Sequence, residues 1–304
     1  MLKDRIISTL RFFDLQDYPL TLLEIHKFLI ADMENLKTRI DGQGEIVSKY
    51  KAEAEILADK ILECLDSECV GEVQNTLGFY HLSGKQELVN RRLSNYAFGL
   101  KREKLVKKYA RGLRHMPFIR GAALGGSQAL GLQKPTSDID LLIITDARFL
   151  WLGRTMATIY FQILGKRRHG AKITNRFCLN HYLAGPKALD QIKNLYSAME
   201  YSRLRPLVYP NAIAAFQQNN AFWIRQCFPQ CKPVLAGEDN TSTLQNILEK
   251  LFTNPFGVWL ESKLKAWQEP RIKKQKFIIV EDDELSFHPD SKQKPLLEKF
   301  LFEP

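Results

Sequence analysis

The sequence predicts an α+β protein in which a mixed sheet flanked by helices lies between two mainly helical regions. Apolar residues recur at helical spacing in the first 90 residues and again after residue 186, whereas short apolar runs of strand length occur between them. A chain of 304 residues with 45% hydrophobic residues can bury such elements in hydrophobic cores. Four parts are expected: an N-terminal module (1–90), a basic connecting helix (91–116), a sheet-containing core (117–185), and a C-terminal helical region with a tail (186–304).

The N-terminal module combines helices with a small hairpin. Apolar residues at helical spacing predict helices over residues 5–13, 22–30 and 54–65, and residues 71–84 contain two short extended segments around a turn. Helices followed by a hairpin resemble a winged helix-turn-helix domain, a resemblance that implies contact with DNA. The third helix and its flanks are acidic and would repel DNA, so docking to a protein partner or a structural role is the alternative.

Positive charge is concentrated in two places in this chain, whose net charge is +10. The predicted connecting helix over residues 86–114 carries nine cations: Arg91, Arg92, Lys101, Arg102, Lys104, Lys107, Lys108, Arg111 and Arg114. A second cluster consists of Lys166, Arg167, Arg168, Lys172 and Arg176. Either cluster would attract a polyanion through counterion release, unless the two form only a solvated helix face and a charged loop.

The core is predicted to alternate strands and helices. Apolar runs predict strands over residues 118–124 and 139–145, with a short helix over 128–132 between them. A helix over 149–164 then leads to a third strand over 175–183.

Two carboxylates, Asp138 and Asp140, stand one residue apart at the start of the second predicted strand. Alternate side chains of a strand project from the same face, so these two anions would lie side by side and repel each other. A shared divalent cation with hard oxygen ligands removes that repulsion. Upstream, Gly125, Gly126 and Ser127 form a small-residue turn into a helix, where free backbone N–H groups can bind phosphate. Together these features indicate nucleotide chemistry, unless the two acids merely close a turn and face solvent.

Gly126 and Ser127, ten intervening residues, and then Asp138-Ile139-Asp140 resemble the signature of the polymerase-beta-like nucleotidyltransferase superfamily. The resemblance implies a nucleotidyltransferase-type mixed sheet in which Asp138 and Asp140 ligate Mg²⁺. It further implies that Ser127 and its neighbouring amides hold the β- and γ-phosphates of a nucleoside triphosphate, and that pyrophosphate leaves. The nucleoside monophosphate would pass to a hydroxyl of a protein side chain, a small molecule or an RNA end.

A third carboxylate is expected in such enzymes on a neighbouring strand, but the predicted strand 175–183 contains no acid. Asn180 can offer a neutral oxygen there, and His181, on the opposite face if the strand alternates regularly, is a less suitable base. Arg176 is predicted to approach the nucleotide phosphates. The intact acid pair favours an enzyme. The missing acid favours a catalytically weakened, nucleotide-binding regulator that acts through its N-terminal module on DNA or a protein partner, and a two-component complex with a helical partner is a third possibility.

The C-terminal region is predicted to be helical over residues 188–205, 212–227 and 244–267, with a break at Pro255 near Asn254. The apolar run 277–280 is predicted to be a last strand or an ordered arm. No residue in this region announces a chemical role.

Cysteine content and hydropathy exclude several classes of protein. The five cysteines are odd in number and scattered, which argues against a disulfide framework, and no second pair with ligand spacing supports a zinc site. The chain has neither an apolar run of eighteen residues nor the residue order of a secretory signal at its start. We therefore expect a cytoplasmic protein without membrane contact.

Overall fold

A computed structural model describes residues 1–33, 55–239, 242–275, 278–287 and 293–302 of the chain. Its helices are α1 (Leu2–Asp14), α2 (Leu22–Lys27), α3 (Ala58–Ser67), α4 (Glu87–Ala110), α5 (Gly126–Leu130), α6 (Leu150–Ile163), α7 (Leu195–Ser202), α8 (Pro210–Cys227), α9 (Thr243–Lys250), α10 (Pro255–Ile272) and α11 (Gln293–Phe302). Its strands are β1 (Leu20–Thr21), β2 (Val73–Thr76), β3 (Phe79–Leu82), β4 (Ile119–Leu124), β5 (Ile139–Thr145), β6 (Phe177–Ala184), β7 (Arg205–Val208), β8 (Ile278–Val280) and β9 (Glu284–Phe287).

Within its described residues, the N-terminal part contains three helices and a three-stranded antiparallel sheet in the order β1-β3-β2. A capping box starts α2, because the Thr21 hydroxyl accepts from the Glu24 amide while the Glu24 carboxylate accepts from the Thr21 amide. Leu77 and Gly78 both have positive φ, as a tight turn between two strands requires. The predicted helices and hairpin are thus present, although residue 54, where the third helix was expected to begin, lies outside the described residues.

The central sheet has six strands in the order β7-β4-β5-β6-β9-β8. Only β5 and β6 run parallel among these neighbours, and the other pairs are antiparallel. The prediction of an α+β protein with a mixed sheet flanked by helices is therefore confirmed. The helix break near Asn254 and the strand within 277–280 are also present, as α9, α10 and β8.

The single helix predicted over residues 188–205 is wrong. Asn194 begins α7 at Leu195, because its side chain accepts from the Ser197 amide at 2.8 Å, and Ile192 before it has a positive φ of 57°. The segment after α7 is the edge strand β7, in which Arg205 pairs with Leu124 of β4. Pairing over this sequence distance keeps Arg205 out of the predicted helix, while the cap at Asn194 and the positive φ of Ile192 keep residues 188–194 out of it.

The two faces of the central sheet are covered by different parts of the chain. Leu142 and Ile144 pack in one continuous hydrophobic cluster with the N-terminal helices, α7, α8 and α11. Leu141 and Ile143 face the other side, where α4 and α6 cover them. Because side chains alternate along β5, Asp140 shares the face of Leu142, and the N-terminal part therefore covers the same face as the acid pair.

Aromatic packing joins the N-terminal part to the core. The guanidinium of Arg203, directly after α7, lies over the rings of Phe13, Tyr18 and Phe28. The Glu24 carboxylate pairs with Arg203 at 3.6 Å and with Arg92 at 2.7 Å. Each of the many aromatic and aliphatic side chains buried in this cluster contributes about 1.5–3 kcal/mol, whereas the half-buried Glu24 carboxylate with its two guanidinium partners contributes about 1–3 kcal/mol in all. Apolar burial therefore accounts for most of the stability of this joint.

Several cations of the basic helix α4 are used within the fold. Arg91 pairs with Asp17 at 2.5 Å, Arg92 pairs with Glu24, and Arg102 donates to the Ser137 carbonyl. The number of cations in α4 therefore overstates the positive surface that this helix offers to a polyanion.

Among the described residues no helix combines the length and apolar character needed to cross a bilayer. No disulfide bond joins any of the five cysteines, all of which the structure describes, and four of them are buried.

Candidate active site

A glycine turn between β4 and α5 lies directly against Asp140. The Gly125 amide donates to the Asp140 carbonyl at 3.0 Å, which ties the turn to β5. Gly126 has a φ of +56°, and a Cβ at this position would lie 2.1 Å from Asp140 Oδ2. Only glycine meets both conditions without strain. Helix α5 begins at Gly126 rather than at the predicted Gln128, so Gly126 and Ser127 belong to the first turn, whose amides have no intrahelical acceptor.

The acid pair projects from one face at the start of β5. Asp138 directly precedes the strand and Asp140 is its second residue. Both side chains are half-buried, whereas Ile139 and Leu141, which alternate with them, are fully buried. One oxygen of each carboxylate and the Cys178 sulfur all lie within 4.8 Å of one another. The structure thus brings together the two carboxylates and the glycine turn that the sequence singled out.

A bulge in the β5–β6 pairing places the side chains of β6. Asp140 pairs with Cys178 and Leu141 with Leu179, but Leu142 pairs with His181, so Asn180 is the extra residue of the bulge. Asn180 Nδ2 donates to Asp140 Oδ1 at 3.0 Å, which fixes the orientation of that carboxylate.

The same bulge corrects the prediction for His181, which lies on the face of Leu142 and Asp140 rather than on the opposite face. Both of its ring nitrogens have neighbours, since Nε2 lies 3.1 Å from Glu284 Oε1 and Nδ1 lies 3.4 Å from the Tyr201 hydroxyl. With only 6% of its surface exposed, His181 holds β6 and β9 together.

A guanidinium from the second basic cluster pairs with the acids. Arg168 Nη1 lies 2.6 Å from Asp138 Oδ2 and 3.3 Å from the Cys178 sulfur. Burial, with Asp140 adding to the effect, raises the pKa of the Cys178 thiol to about 12, so this thiol is protonated at neutral pH.

Arg176, predicted to approach the phosphates, contacts β5 through its backbone, because its carbonyl accepts from the Ile139 amide at 2.8 Å. Its side chain does not line the cleft described below.

Arg102 of α4 provides a second cation beside the acids. Its side chain is only 4% exposed, and its Nη2 donates to the Ser137 carbonyl, one residue before Asp138. Burial lowers the pKa of Arg102, while Asp138 and Asp140 act in the opposite direction. A guanidinium nevertheless stays charged in proteins. Within the described residues its Nε and Nη1 have no hydrogen-bond acceptor, so its charge acts on the two carboxylates through space.

The acid pair opens into a cleft of about 900 Å³, a volume within the usual range for small-molecule sites. Its walls come from the segment directly after α1, helix α4, the core around the acid pair, helix α7 and helix α11. The polar groups that line it are Gln16, Asp17, Arg91, Asn95, Ser127, Lys134, Ser137, Asp138, Asp140, Arg168, Asn180, Glu200 and Gln293. A ligand in this cleft would therefore contact the N-terminal part and the C-terminal helix as well as the core.

Glu200 is a cleft acid that the sequence reasoning missed. It lies on α7 one turn after Tyr196, and both residues line the same cleft as Asp140. Burial raises the pKa of Tyr196, and Glu200 and Asp140 both add to the increase, so the two carboxylates act on the same hydroxyl. A third acid is expected on a strand, whereas Glu200 is on α7, the helix that follows β6. The only sequence signal for it was an acid within a predicted helix.

The donor set of the acid pair fits a hard divalent cation. Two carboxylates within 4.8 Å of each other are the ligands through which Mg²⁺ is usually held together with substrate phosphates. The neutral thiol of Cys178 adds no suitable ligand for Mg²⁺. Asn180 and the glycine turn both contact Asp140, and Arg168 contacts Asp138, so the orientation of each carboxylate is set by its neighbours.

Comparison with known proteins agrees with this geometry. No curated protein and no solved structure matches the chain. One family model matches residues 106–175, a segment that includes β4, the glycine turn, the acid pair and Arg168 and ends before Asn180. The matched family is described as the nucleotidyltransferase domain, and the match supports a transferase class for residues 106–175 of this chain.

Proposed function

We propose that this protein is a magnesium-dependent nucleotidyltransferase that moves a nucleoside monophosphate from a nucleoside triphosphate to a hydroxyl acceptor. The observation that carries the proposal is the contact between the glycine turn and Asp140, at the edge of a large polar cleft and within the segment that matches the family model.

Each residue of the site has a proposed role. Asp138 and Asp140 hold Mg²⁺, which when bound neutralises phosphate charge and orients the triphosphate for in-line displacement. The amides of Gly126 and Ser127, with the Ser127 hydroxyl, bind phosphate oxygens, while the Gly125 amide is used by the Asp140 carbonyl.

The proton of the attacking hydroxyl needs an acceptor, and we assign this role to Glu200. Asn180 cannot take a proton, and its amide donates to Asp140. Glu200 faces the same cleft from α7, so an acceptor bound between α7 and the acid pair would meet its carboxylate. Removing the proton makes the hydroxyl oxygen a better nucleophile for the α-phosphorus, and pyrophosphate is the leaving group.

Pyrophosphate release tests the proposal. Wild type, Asp138→Asn and Asp140→Asn would be assayed with each nucleoside triphosphate, Mg²⁺ and candidate acceptors. We expect release by wild type and a loss of at least about 100-fold in both variants, because an amide is a poor substitute for a carboxylate ligand. Asp146→Asn is the matched control, since Asp146 follows the other end of β5 and pairs with Arg120 at 3.1 Å. Equal activity in all four proteins would refute the proposed role of the acid pair.

A second candidate is a nucleotide-binding regulator that acts through a winged-helix-like N-terminal module on DNA or a protein partner. The neutral Asn180 beside Asp140, on the strand where a third carboxylate is expected, favours it. Tight nucleotide binding without pyrophosphate release from any acceptor would support this candidate over the enzyme. A co-purified partner that carries the mass of an added nucleotide would instead identify a protein acceptor.

A further inference from the structure

Two arginines already balance the charge of the acid pair. Asp138 and Asp140 carry two negative charges, and Arg168 and Arg102 bring two positive charges beside them. A divalent cation that approaches alone therefore meets a nearly neutral site rather than a doubly negative one. Asp138 Oδ2 also has a guanidinium at 2.6 Å, and the positive charge of that group opposes coordination of a cation by the same oxygen.

The two arginines differ in their freedom to move. Arg102 is 4% exposed, is bonded to the Ser137 carbonyl and does not line the cleft. The Arg168 side chain is 37% exposed and lines the cleft, while its backbone amide donates to the Phe177 carbonyl at 2.9 Å. Arg168 therefore has a fixed backbone and a long side chain that can exchange one anionic partner for another within the cleft.

We propose that Arg168 couples nucleotide binding to metal binding by exchanging Asp138 for the triphosphate. The inference rests on the proposed function, since it requires a triphosphate in this cleft. A guanidinium binds phosphate oxygens through two parallel N–H groups, a stronger interaction than one contact with a carboxylate oxygen. When Arg168 moves to the phosphates, Asp138 becomes available to Mg²⁺, so each ligand tightens the binding of the other by the same factor.

The other cations that line the cleft are less suited to this exchange. Arg91 is paired with Asp17, and Lys134 lies in the loop before the acid pair as a single point charge. Of the cleft cations in the described part of the chain, Arg168 is the one whose ion pair occupies a proposed metal ligand.

Mn²⁺ binding to the full chain tests the proposal without relying on turnover. Mn²⁺ affinity would be measured by electron paramagnetic resonance with and without a non-hydrolysable nucleoside triphosphate analogue. In wild type we expect the analogue to tighten Mn²⁺ binding by about 10- to 100-fold. In Arg168→Gln, Mn²⁺ alone should bind several-fold tighter than in wild type, and the enhancement by the analogue should fall to about 2-fold or less.

Lys172→Gln is the matched control, because it removes one exposed cation of the same cluster without touching the cleft. It should keep the wild-type enhancement. A wild-type enhancement in Arg168→Gln, or an equal loss in Lys172→Gln, would overturn the inference.

A second variant changes Asp138, the other residue of the ion pair, so its result does not depend on whether Arg168→Gln folds. Asp138→Asn releases Arg168 from its ion pair, so the analogue should bind this variant several-fold tighter than wild type in the absence of divalent metal. Weaker or unchanged binding would contradict the exchange. The two proposals fail in different ways: if wild type binds no analogue with or without Mn²⁺, the proposed function fails, whereas independent binding of both ligands defeats the coupling alone.

Discussion

The glycine at position 126 determines how closely the turn between β4 and α5 approaches Asp140. A methyl group there would lie 2.1 Å from the carboxylate oxygen, well inside any possible contact distance. The clash must be relieved by rotating Asp140 or by moving the turn. Either movement separates the two halves of the proposed site.

Gly126→Ala is therefore expected to lower nucleotide turnover by about 100-fold or more, since misplacement of about 1 Å has that effect. The positive φ alone costs an alanine about 1–2 kcal/mol of stability. Gly165→Ala is the control for that cost, because Gly165 has a similar φ of +61° and a methyl group there would meet no atom within 4 Å. Urea unfolding should show a loss for Gly126→Ala at least as large as that for Gly165→Ala, and equal turnover in the two would contradict the contact between Gly126 and Asp140.

Glu200 is proposed to accept the proton of the attacking hydroxyl. Glu200→Gln keeps the shape of the side chain and removes the base, so turnover should fall by about 10²- to 10⁴-fold while Mn²⁺ affinity stays within a few-fold of wild type. Asp17→Asn removes another carboxylate of the same cleft, one that pairs with Arg91, and should lower turnover far less. A full rate for Glu200→Gln in steady-state assays would exclude it as the base.

Among the helices, α7 places its polar residues at the cleft because the side chain of Asn194 fixes both its first residue and its position against α11. Asn194 is 4% exposed, caps the helix through the Ser197 amide, and donates to Gln293 Oε1 of α11 at 3.1 Å. One side chain thus sets the start of α7 and its position relative to α11, and both helices line the cleft.

Asn194→Ala should cost about 1–2 kcal/mol of stability through the lost cap, and should also lower turnover because Glu200 is on the same helix. Asn254→Ala removes an equivalent cap from α10, where the side chain accepts from the Gly257 amide at 3.0 Å outside the cleft. Chemical unfolding and steady-state kinetics of the two variants would be compared. If both lose stability and neither loses activity, the start of α7 does not position the catalytic base.

Local patterns predicted the elements that carry the acid pair and missed those that complete the cleft. Strands β4 and β5 are short apolar runs bounded by turn residues, and this pattern predicts that they are strands. The alternation of side chains along a strand then predicts that Asp138 and Asp140 share a face. The bulge at Asn180 depends on pairing between two strands and has no signature within β6 itself.

The misassigned helix has a related cause. Residues 205–208 form an edge strand only because Leu124 and its neighbours offer a partner strand from far away in the sequence. Arg168 belonged to a basic cluster that was recognised, but its contact with Asp138 depends on a loop that returns beside β6, where its amide bonds to Phe177. Contacts of this kind are set by tertiary packing, which no local spacing encodes.

Across the whole molecule, the N-terminal part and the core share a hydrophobic cluster and a half-buried group of ion pairs around Glu24. Burial raises the pKa of the Glu24 carboxyl, but the positive charges of Arg92 and Arg203 together lower it by more than burial raises it. The pKa of Glu24 is therefore below its ordinary value of 4.5. A lowered pKa in the folded state means that the carboxylate stabilises the protein above about pH 4.5. This contribution is lost as the pH falls through the lower folded pKa.

Wild type should therefore lose stability on acidification below about pH 4.5, and Glu24→Gln should show a shallower loss over the same range because it has no carboxyl to protonate. At pH 7 the variant should be less stable by about 1–3 kcal/mol, since the amide pairs less well with the two guanidinium groups. Urea unfolding at a series of pH values measures both effects, with Glu68→Gln reporting the effect of removing an exposed carboxylate from the same part of the chain. If the free energy of unfolding depends on pH in the same way in wild type and Glu24→Gln, the ion pair does not stabilise the contact between the N-terminal part and the core.

The central claim is that Asp138 and Asp140 bind a metal ion beside a triphosphate held at the glycine turn. A crystal structure with Mn²⁺ and a non-hydrolysable nucleoside triphosphate analogue, with Mn²⁺ located by its anomalous scattering, tests this claim most directly. We expect a Mn²⁺ peak at about 2.0–2.2 Å from an oxygen of each carboxylate, with phosphate oxygens at Gly126 and Ser127. An analogue bound elsewhere, or a Mn²⁺ peak away from both aspartates, would contradict it.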